Sequence, residues 1–283
     1  MNEISRNELE QYRKQYKTSY SIGDLTPTVC ELLGIPEPDV CGGTPIPMVV
    51  DHAAKLFGGD GKMQKVLIFC PDAVGETHRI KYPDLLERVQ ELAGIRCLSS
   101  CVMPSVTPVC FATIFSGASP EVHGIHQWEQ PILKIETLFD VAAKAGKKVA
   151  IIAENGCSMD KIFRQRDIAY FSLRSDDEAR KITQMLLEND DYDILVSYAT
   201  NHDHSAHVFG TDSPETIQEL TKCVESFEIF TRLTDTVWKN FNHAVIWAPD
   251  HGNHPIDSEH GAHGDNIPED MLVNHFYRIR SAS

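Results

Sequence analysis

From about residue 64 onward, short apolar runs alternate with segments of helical periodicity, and this alternation restricts the fold more than any other feature of the chain. Six apolar runs predict strands, at residues 66–70, 148–153, 168–171, 194–198, 244–248 and 272–277. Helical patterns lie between them, at residues 82–93, 138–145, 176–188 and 214–240. Strands that alternate with helices are typical of a mostly parallel sheet. We therefore expect an α/β fold.

The first 63 residues differ in character, because five prolines and two glycine pairs interrupt them. This pattern predicts short helices joined by turns. One amphipathic helix is expected over residues 21–36, with Pro27 early in it and Gly34 at its end. We expect residues 1–63 to form a helical segment packed on a core domain of residues 64–283. The boundary would lie at residues 58–62.

Composition excludes one class of partner. The 283 residues carry a formal net charge of −15, so the surface would repel a nucleic-acid backbone. Hydrophobic residues make up 42% of the chain and charged residues 24%, which is ordinary for a globular protein. Small anionic substrates remain compatible with this charge, because bound divalent cations reverse the local field of a site.

The cysteines and the N-terminus predict a cytoplasmic location. The eight cysteines form no CxxC pair, and several lie in apolar runs, where a free thiol packs as a small hydrophobic group. The N-terminal sequence MNEISRNELEQYRKQYK is polar and lacks the apolar segment of a secretory signal. No run approaches the ~20 apolar residues of a membrane span. We expect reduced thiols and no membrane partner.

Carboxylates follow three of the predicted strands. Asp72 comes after residues 66–70, Asp203 after 194–198, and Asp250 after 244–248. Histidines accompany the last two carboxylates, at His207 and His251. In an open α/β sheet, ligands bind at the edge where the strands end. We therefore expect the three carboxylates to converge there.

Mixed carboxylate and imidazole ligands suit Zn²⁺, and also Mn²⁺ when oxygen ligands dominate. Asp203 and His207 are four residues apart, so one helical turn would direct both at the same ion. A further histidine, His263, lies between glycines. A single Asp–His pair is more often a surface or core pair, so the hypothesis depends on the coincidence of several. Because the ligands exceed the needs of one four-coordinate ion, we predict two metal ions.

A hydroxyl nucleophile is available at Thr107. Thr107 precedes Pro108, and proline favours the first turn of a helix. A hydroxyl there would feel the positive end of the helix dipole, which favours an alkoxide and an anionic ester beside it. The alternative interpretation is that Thr107 only caps the helix. Residue chemistry alone leaves both interpretations open.

Five motifs in their order along the chain resemble those of a known family. They are Pro71-Asp72, Met103-Pro-Ser-Val-Thr107-Pro with Ser116-Gly-Ala-Ser-Pro-Glu-Val-His-Gly-Ile125, Asp203-x-x-x-His207, Pro249-Asp-His-Gly-Asn253, and Gly261-Ala-His-Gly264. Over residues 64–277 the chain resembles the alkaline phosphatase superfamily, and within it the nucleotide pyrophosphatase/phosphodiesterase and phosphonoacetate hydrolase branch. The resemblance implies a three-layer αβα sandwich. It also implies a catalytic domain at 64–283 that hydrolyses small phosphate esters or phosphonates.

The resemblance implies a role for each matching residue. One metal ion would be held by Asp72, Thr107, Asp250 and His251, and a second by Asp203, His207 and His263. Zn²⁺ is the expected metal, with Mn²⁺ as the next choice. Thr107 would attack phosphorus to form a phosphothreonine, which water then hydrolyses. Two cations about 4 Å apart suit such an in-line displacement.

The chain departs from the family pattern in three places. Cys110 stands where the nucleotide pyrophosphatase branch has an asparagine that contacts the transferred phosphoryl group. Only residues 253–262 separate the Asp-His-Gly motif from His263, where the family commonly inserts a cap over the substrate. The helix at residues 24–35 resembles one that relatives place after the last ligand. His254 and His260 are alternatives to His263, although its flanking glycines favour His263.

Three alternative functions follow from the same motifs. The Asp250-His-Gly-Asn253 segment also resembles the phosphoglycerate mutase and phosphopentomutase type of phosphomutase, which has a large second domain for which this chain has little room. A sulfatase is disfavoured, because the sequence has no Cys-x-Pro-x-Arg segment. A non-catalytic metal-binding relative is the third alternative, and the missing asparagine favours it mildly.

Overall fold

The computed structural model describes residues 2–58 and 61–283. Within them, ten strands are β1 (Tyr20–Ser21), β2 (Lys65–Pro71), β3 (Ile95–Ser100), β4 (Val149–Glu154), β5 (Ala169–Leu173), β6 (Ile194–Ala199), β7 (His243–Trp247), β8 (His254–Pro255), β9 (Gly261–Ala262) and β10 (Leu272–Arg280). Eight of these form one sheet in the order β1-β3-β10-β7-β2-β6-β4-β5, and β8 and β9 form a small hairpin.

Thirteen α-helices connect the strands of the described residues. They are α1 (Glu3–Tyr16), α2 (Leu25–Leu33), α3 (Pro47–Phe57), α4 (Glu76–Lys81), α5 (Pro83–Ala93), α6 (Thr107–Ser116), α7 (Pro120–His123), α8 (Leu138–Lys144), α9 (Ser158–Ile162), α10 (Asp176–Asn189), α11 (Asn201–Phe209), α12 (Pro214–Val237) and α13 (Pro268–Met271). The four helices predicted between residues 82 and 240 correspond to α5, α8, α10 and α12.

The large sheet is mostly parallel, which confirms the predicted fold class. Strands β7, β2, β6, β4 and β5 run parallel, whereas β10 is antiparallel to both of its neighbours, β3 and β7. All six predicted strands are present, as β2, β4, β5, β6, β7 and β10. The prediction missed β1 and β3. The sequence of β3, IRCLSS, mixes charged and small polar residues and is not an apolar run.

Alternation along the central strand β2 divides the core into two halves. Val66, Ile68 and Cys70 lie in one buried cluster, with residues of α2, α3, α6, α8 and α9. Leu67 and Phe69 lie in a second cluster, with residues of α5, α10 and α12. Successive side chains of a strand point to opposite faces, so both faces of this sheet are covered by helices. The fold is therefore the predicted three-layer αβα sandwich.

The predicted helix at residues 21–36 is shorter and divided. A 3₁₀ turn occupies Ile22–Asp24, and α2 follows it. The backbone N–H of Ser21 donates to Oδ2 of Asp24 at 2.9 Å, which fixes a capping box before the α-helix can start. At the other end Gly34 adopts a left-handed conformation (φ 68°) that suits glycine. The helix ends at this point, as its glycine predicted.

The N-terminal region contributes directly to the sheet and its covering layer. Strand β1 pairs with β3 at the sheet edge, and α2 packs against α3 and α6. Residues 59 and 60 of the predicted boundary lie outside the described residues. The division into 1–63 and 64–283 stays a prediction.

All eight cysteines are free, and all except the half-buried Cys157 are fully buried. This agrees with the expected packing of reduced thiols in the core. Every helix in the described part of the chain is too short or too polar to cross a membrane.

Candidate active site

Three neighbouring strands bring the predicted carboxylates together. Strands β7, β2 and β6 are adjacent in the sheet and parallel, so their carboxyl ends share one edge. Asp72 follows β2, Asp250 follows β7, and Asp203 lies in the first turn of α11 after β6. Adjacent strands are about 4.8 Å apart, so side chains at their ends fall within reach of a common ligand.

The first cluster consists of Asp72, Asp250 and His251. Ligand atoms of these residues lie within 4.8 Å of one another, and all three side chains are buried. Nε2 of His251 is 3.5 Å from Oδ1 of Asp72 and 3.4 Å from Oδ2 of Asp250. Two carboxylates and one imidazole thus face a single point.

The second cluster consists of Asp203, His207 and His263, whose ligand atoms also lie within 4.8 Å of one another. Nε2 of His207 is 3.4 Å from Oδ2 of Asp203, and Nε2 of His263 is 3.5 Å from Oδ1 of Asp203. The His207 side chain is 43% exposed, so this cluster opens to solvent. The rings of His251 and His263 stack with centroids 4.0 Å apart, so the two clusters are contiguous.

The three cluster histidines share one orientation. In each, Nδ1 is hydrogen-bonded to a backbone carbonyl and Nε2 faces the carboxylates. The distances from Nδ1 to the carbonyl oxygen are 3.0 Å for His251 and Gly252, 2.9 Å for His207 and Gly261, and 3.0 Å for His263 and Ser105. A carbonyl that accepts from Nδ1–H leaves the lone pair on Nε2. This is the tautomer and the outer contact typical of metal-binding histidines.

The carboxylates are incompletely satisfied by protein donors. Oδ2 of Asp72 accepts from the hydroxyl of Tyr198, and Oδ1 of Asp250 accepts from the backbone N–H of Ala73 at 3.3 Å. The remaining oxygens, Oδ1 of Asp72, Oδ2 of Asp250 and Oδ1 of Asp203, are buried without a hydrogen-bond partner among residues 2–58 and 61–283. An unpaired buried carboxylate oxygen is costly, and one cation at each cluster would satisfy all three oxygens. The donor set therefore fits metal ions.

The electrostatics of the first cluster favour a cation. Burial, together with the nearby Asp250 and Asp203 carboxylates, raises the pKa of Asp72 well above its ordinary value. Burial raises the pKa of Asp250 to about 7, and Asp203 acts in the same direction. Like charges confined in a buried site resist simultaneous ionisation, and a divalent cation removes that penalty.

In the second cluster the pKa values of the carboxylate and of His263 are lowered rather than raised. Burial is the largest single effect on Asp203 and opposes its ionisation, but the hydrogen bond with His207 and the nearby imidazoles of His263 and His251 together outweigh burial and lower the pKa of Asp203 to about 2. Burial and the neighbouring His251 lower the pKa of His263 to about 4. Asp203 is therefore a carboxylate and His263 a neutral imidazole near pH 7. These are the protonation states that metal binding requires.

Thr107 lies beside the first cluster. It is the first residue of α6, and the N-cap position is occupied by Val106. The alternative interpretation, in which Thr107 only caps the helix, is therefore wrong, because Val106 occupies the N-cap position. Its Oγ1 is 3.3 Å from Nε2 of His251, and its side chain is almost fully buried. A hydroxyl at the positive end of a ten-residue helix thus faces the carboxylate and imidazole groups.

A family model decides the relationship of this chain to known proteins. The model described as type I phosphodiesterase / nucleotide pyrophosphatase matches residues 93–279. The chain belongs to this family. The matched range includes Thr107 and every member of both clusters except Asp72.

Two solved phosphodiesterase structures, one human and one murine, share the fold. Human ectonucleotide pyrophosphatase/phosphodiesterase 5 superimposes with a TM-score of 0.54 at 16% identity, over 67% of this chain and 57% of that chain. The murine protein, in a complex with AMP, gives 0.51 at 17% identity over the same shares. Phosphonoacetate hydrolase from Sinorhizobium meliloti 1021, in complex with phosphonoformate, gives 0.49 at 17% identity, over 71% of this chain and 60% of that chain.

This family member spans less than two thirds of the length of these solved relatives. A search of the curated proteins finds no match. At these identities the likeness to solved structures shows the fold alone.

Cys110, at the position where the resemblance leads us to expect an asparagine, lies in α6 one turn after Thr107. Its side chain is fully buried in the hydrophobic core beside Cys101. A buried thiol is a weak hydrogen-bond donor. Cys110 therefore cannot offer the hydrogen bonds of an amide side chain at this position.

The histidines that competed with His263 lie outside both clusters. Nδ1 of His254 bonds to Oδ1 of Asp270 at 2.8 Å. His260 pairs with Asp257 at 3.1 Å at the surface. The short glycine-flanked segment after β9 instead directs His263 inward.

Tyr198 and His202 were not singled out from the sequence. The Tyr198 hydroxyl donates to Asp72, and Nδ1 of His202 contacts the Asp72 backbone oxygen at 2.9 Å. Both side chains are buried against the first cluster. The available signal was the occurrence of two polar rings shortly before Asp203, Tyr198 near the end of β6 and His202 at the start of α11.

Proposed function

We propose that this chain is a two-metal hydrolase of small phosphate esters, with Thr107 as the nucleophile. Phosphodiesters are its proposed preferred substrates. The observation that carries the proposal is the position of Thr107 Oγ1, 3.3 Å from Nε2 of His251 and at the start of α6, beside two contiguous clusters. Membership of the phosphodiesterase family supports the reaction class. The AMP complex of the murine relative makes nucleotide esters natural first candidates.

The ligands proposed for the two ions follow the two clusters. Asp72, Asp250, His251 and the Thr107 hydroxyl would hold one ion, and Asp203, His207 and His263 the other. Zn²⁺ suits these mixed carboxylate and imidazole sets, and Mn²⁺ is the alternative. When bound, the ions would neutralise charge on the phosphate oxygens and on the entering and leaving oxygens.

The proposed reaction has two displacements. Thr107 Oγ1 loses its proton to solvent and forms a bond to phosphorus as the bond from phosphorus to the leaving oxygen breaks. Water then forms a new bond to phosphorus, the bond to Oγ1 breaks, and the Thr107 hydroxyl is restored. The positive end of the α6 dipole favours the negative charge on Oγ1 in both steps.

The backbone would replace the missing asparagine. Pro108 has no N–H, and the N–H of Cys110 donates to the backbone oxygen of Val106. The first-turn N–H groups of α6 without an acceptor in their own helix are those of Thr107 and Val109, and such groups bind anions. Because Cys110 is buried in the core, we propose that these N–H groups contact the phosphoryl oxygens. The exposed side of the second cluster, at His207, would then be where the substrate enters.

Substrate turnover tests the proposal directly. Chelated protein is assayed with bis-p-nitrophenyl phosphate and with p-nitrophenyl phosphate, before and after addition of Zn²⁺ or Mn²⁺. We expect metal-dependent release of p-nitrophenol, faster from the diester. Faster release from the monoester would indicate a phosphatase, and phosphate transfer between positions of a sugar would indicate a phosphomutase. Metal binding without turnover of either compound would favour a non-catalytic relative.

Gly252 offers a test of the loop that carries His251. A Cβ at this position would overlap the backbone oxygen of Glu269, so the Gly252→Ala chain must shift next to His251. We expect diester hydrolysis to fall by about 10-fold or more, since small displacements of catalytic groups can cost ~10²-fold. The control is Gly146→Ala, where a Cβ meets open space and only the positive φ (+79°) adds strain. Equal activity in the two variants would contradict the proposed role of this loop.

A further inference from the structure

Tyr198 connects the first cluster to the helix that begins with Thr107. The tyrosine lies near the end of β6 and is 2% exposed. Its hydroxyl donates to Oδ2 of Asp72. Its ring packs edge-on against Phe111, with centroids 5.0 Å apart and planes at 86°. One side chain thus contacts both a cluster carboxylate and α6.

The strand pairing explains why Tyr198 reaches Asp72. In the parallel ladder between β2 and β6, Tyr198 pairs with Cys70, two residues before Asp72. The phenol therefore extends along the sheet edge toward the residue that follows the neighbouring strand. The hydrogen bond between Tyr198 and Asp72 depends on the backbone register and on a rigid ring. The tyrosine side chain therefore loses little conformational freedom when the bond forms.

The hydrogen bond from Tyr198 gives the two oxygens of the Asp72 carboxylate different surroundings. Oδ2 is engaged by the phenol, whereas Oδ1 has no hydrogen-bond partner in the described part of the chain and lies 3.5 Å from Nε2 of His251. Fixing one oxygen of a carboxylate also fixes the direction of the other. Outer contacts of this kind orient metal ligands, and their loss typically weakens metal binding 10–100-fold.

The packing of the Tyr198 ring against Phe111 connects the first cluster to α6. Phe111 lies four residues after Thr107, so the two side chains lie on one side of the helix, one turn apart. The ring of Tyr198 therefore also limits where α6 can sit relative to β6. A Tyr198→Phe substitution removes the hydroxyl but keeps this ring contact.

We propose that Tyr198 is a positioning residue that directs Oδ1 of Asp72 into the first cluster and thereby sets the metal affinity of that cluster. The inference rests on the proposed two-metal function. The second cluster receives no contact of this kind from Tyr198, because its carboxylate and imidazoles come from α11 and the segment after β9. The effect should therefore be confined to one of the two ions.

The test compares Tyr198→Phe with Tyr277→Phe. Tyr277 is also a fully buried tyrosine of the same sheet, on β10, and its hydroxyl has no partner within residues 2–58 and 61–283. Each chelated protein is titrated with Zn²⁺ in competition with a chromophoric chelator. We expect two ions per chain in all three proteins, with one dissociation constant raised 10–100-fold in Tyr198→Phe and both unchanged in Tyr277→Phe.

The outcomes separate the inference from the function on which it rests. If Tyr198→Phe binds both ions as the wild type does, the positioning role is wrong and the proposed function stands. If both sites weaken equally, the substitution acts on the fold as a whole and the inference is also wrong. If the wild-type chain binds fewer than two ions, the proposed function fails and the inference fails with it. Unfolding curves of the chelated variants check that each one is folded.

Discussion

Thr107→Ala is expected to lower kcat for a phosphodiester by about 10³-fold or more, because removal of a covalent nucleophile leaves only binding and electrostatic stabilisation. The substitution deletes Oγ1, the atom that lies 3.3 Å from His251. The carboxylate and imidazole ligands of both clusters stay in place, so the variant should still bind two ions. Initial rates on bis-p-nitrophenyl phosphate, together with metal content, measure both effects.

Thr183→Ala provides the matched control. Thr183 is also a fully buried threonine within a helix, and its Oγ1 donates to the backbone oxygen of Ala179 at 2.8 Å, away from both clusters. We expect its loss to lower stability slightly and to leave kcat within about twofold of the wild type. A Thr107→Ala protein that retains both ions and wild-type turnover would show that Thr107 is not the nucleophile.

Removal of metal is expected to abolish turnover and to lower the melting temperature. The first cluster buries two carboxylates whose pKa values are raised, that of Asp250 to about 7. Binding of an ion to the folded state stabilises it by about 2.7 kcal/mol at a free metal concentration 100 times Kd. For a chain of this size that amounts to several degrees in Tm. Thermal unfolding with chelator and with added Zn²⁺ measures the shift.

Asp203→Asn separates the contributions of the two clusters. The substitution removes the carboxylate that both His207 and His263 face, but it leaves Asp72, Asp250 and His251 unchanged. We expect one ion per chain, a smaller rise of Tm with Zn²⁺ than in the wild type, and turnover reduced by about 10²-fold or more. Identical Tm values for the wild type with and without metal would contradict metal binding at these clusters.

The sequence predicted the central fold well, because the buried parallel strands are continuous apolar runs. Strand β2, KVLIFCP, is buried along its whole length, and its pattern cannot be confused with a surface segment. Strand β3 escaped prediction because it is only partly buried at its first residues and carries Arg96. Short helices were expected in the first 63 residues, but the bounds of α1 were not predicted because its apolar face is narrow. Of its hydrophobic side chains, Leu9 is fully buried and Ile4 is exposed.

The order of the strands in the sheet could not be predicted from the sequence. The carboxylates after β2, β6 and β7 were visible as residues, but their convergence depends on β2 lying between β6 and β7. For the same reason the contact of Tyr198 with Asp72 could not be predicted, since it depends on the register between β2 and β6. His263 was recognisable, because the neighbouring glycines allow the close turn that directs it inward.

Anomalous diffraction from crystals grown with Zn²⁺ tests the central claim most directly. The account predicts two peaks about 4 Å apart. One would lie among Asp72, Asp250 and His251, with Thr107 Oγ1 as a further ligand, and the other among Asp203, His207 and His263. Peaks elsewhere on the chain, a single peak, or a Thr107 hydroxyl turned away from both ions would contradict it.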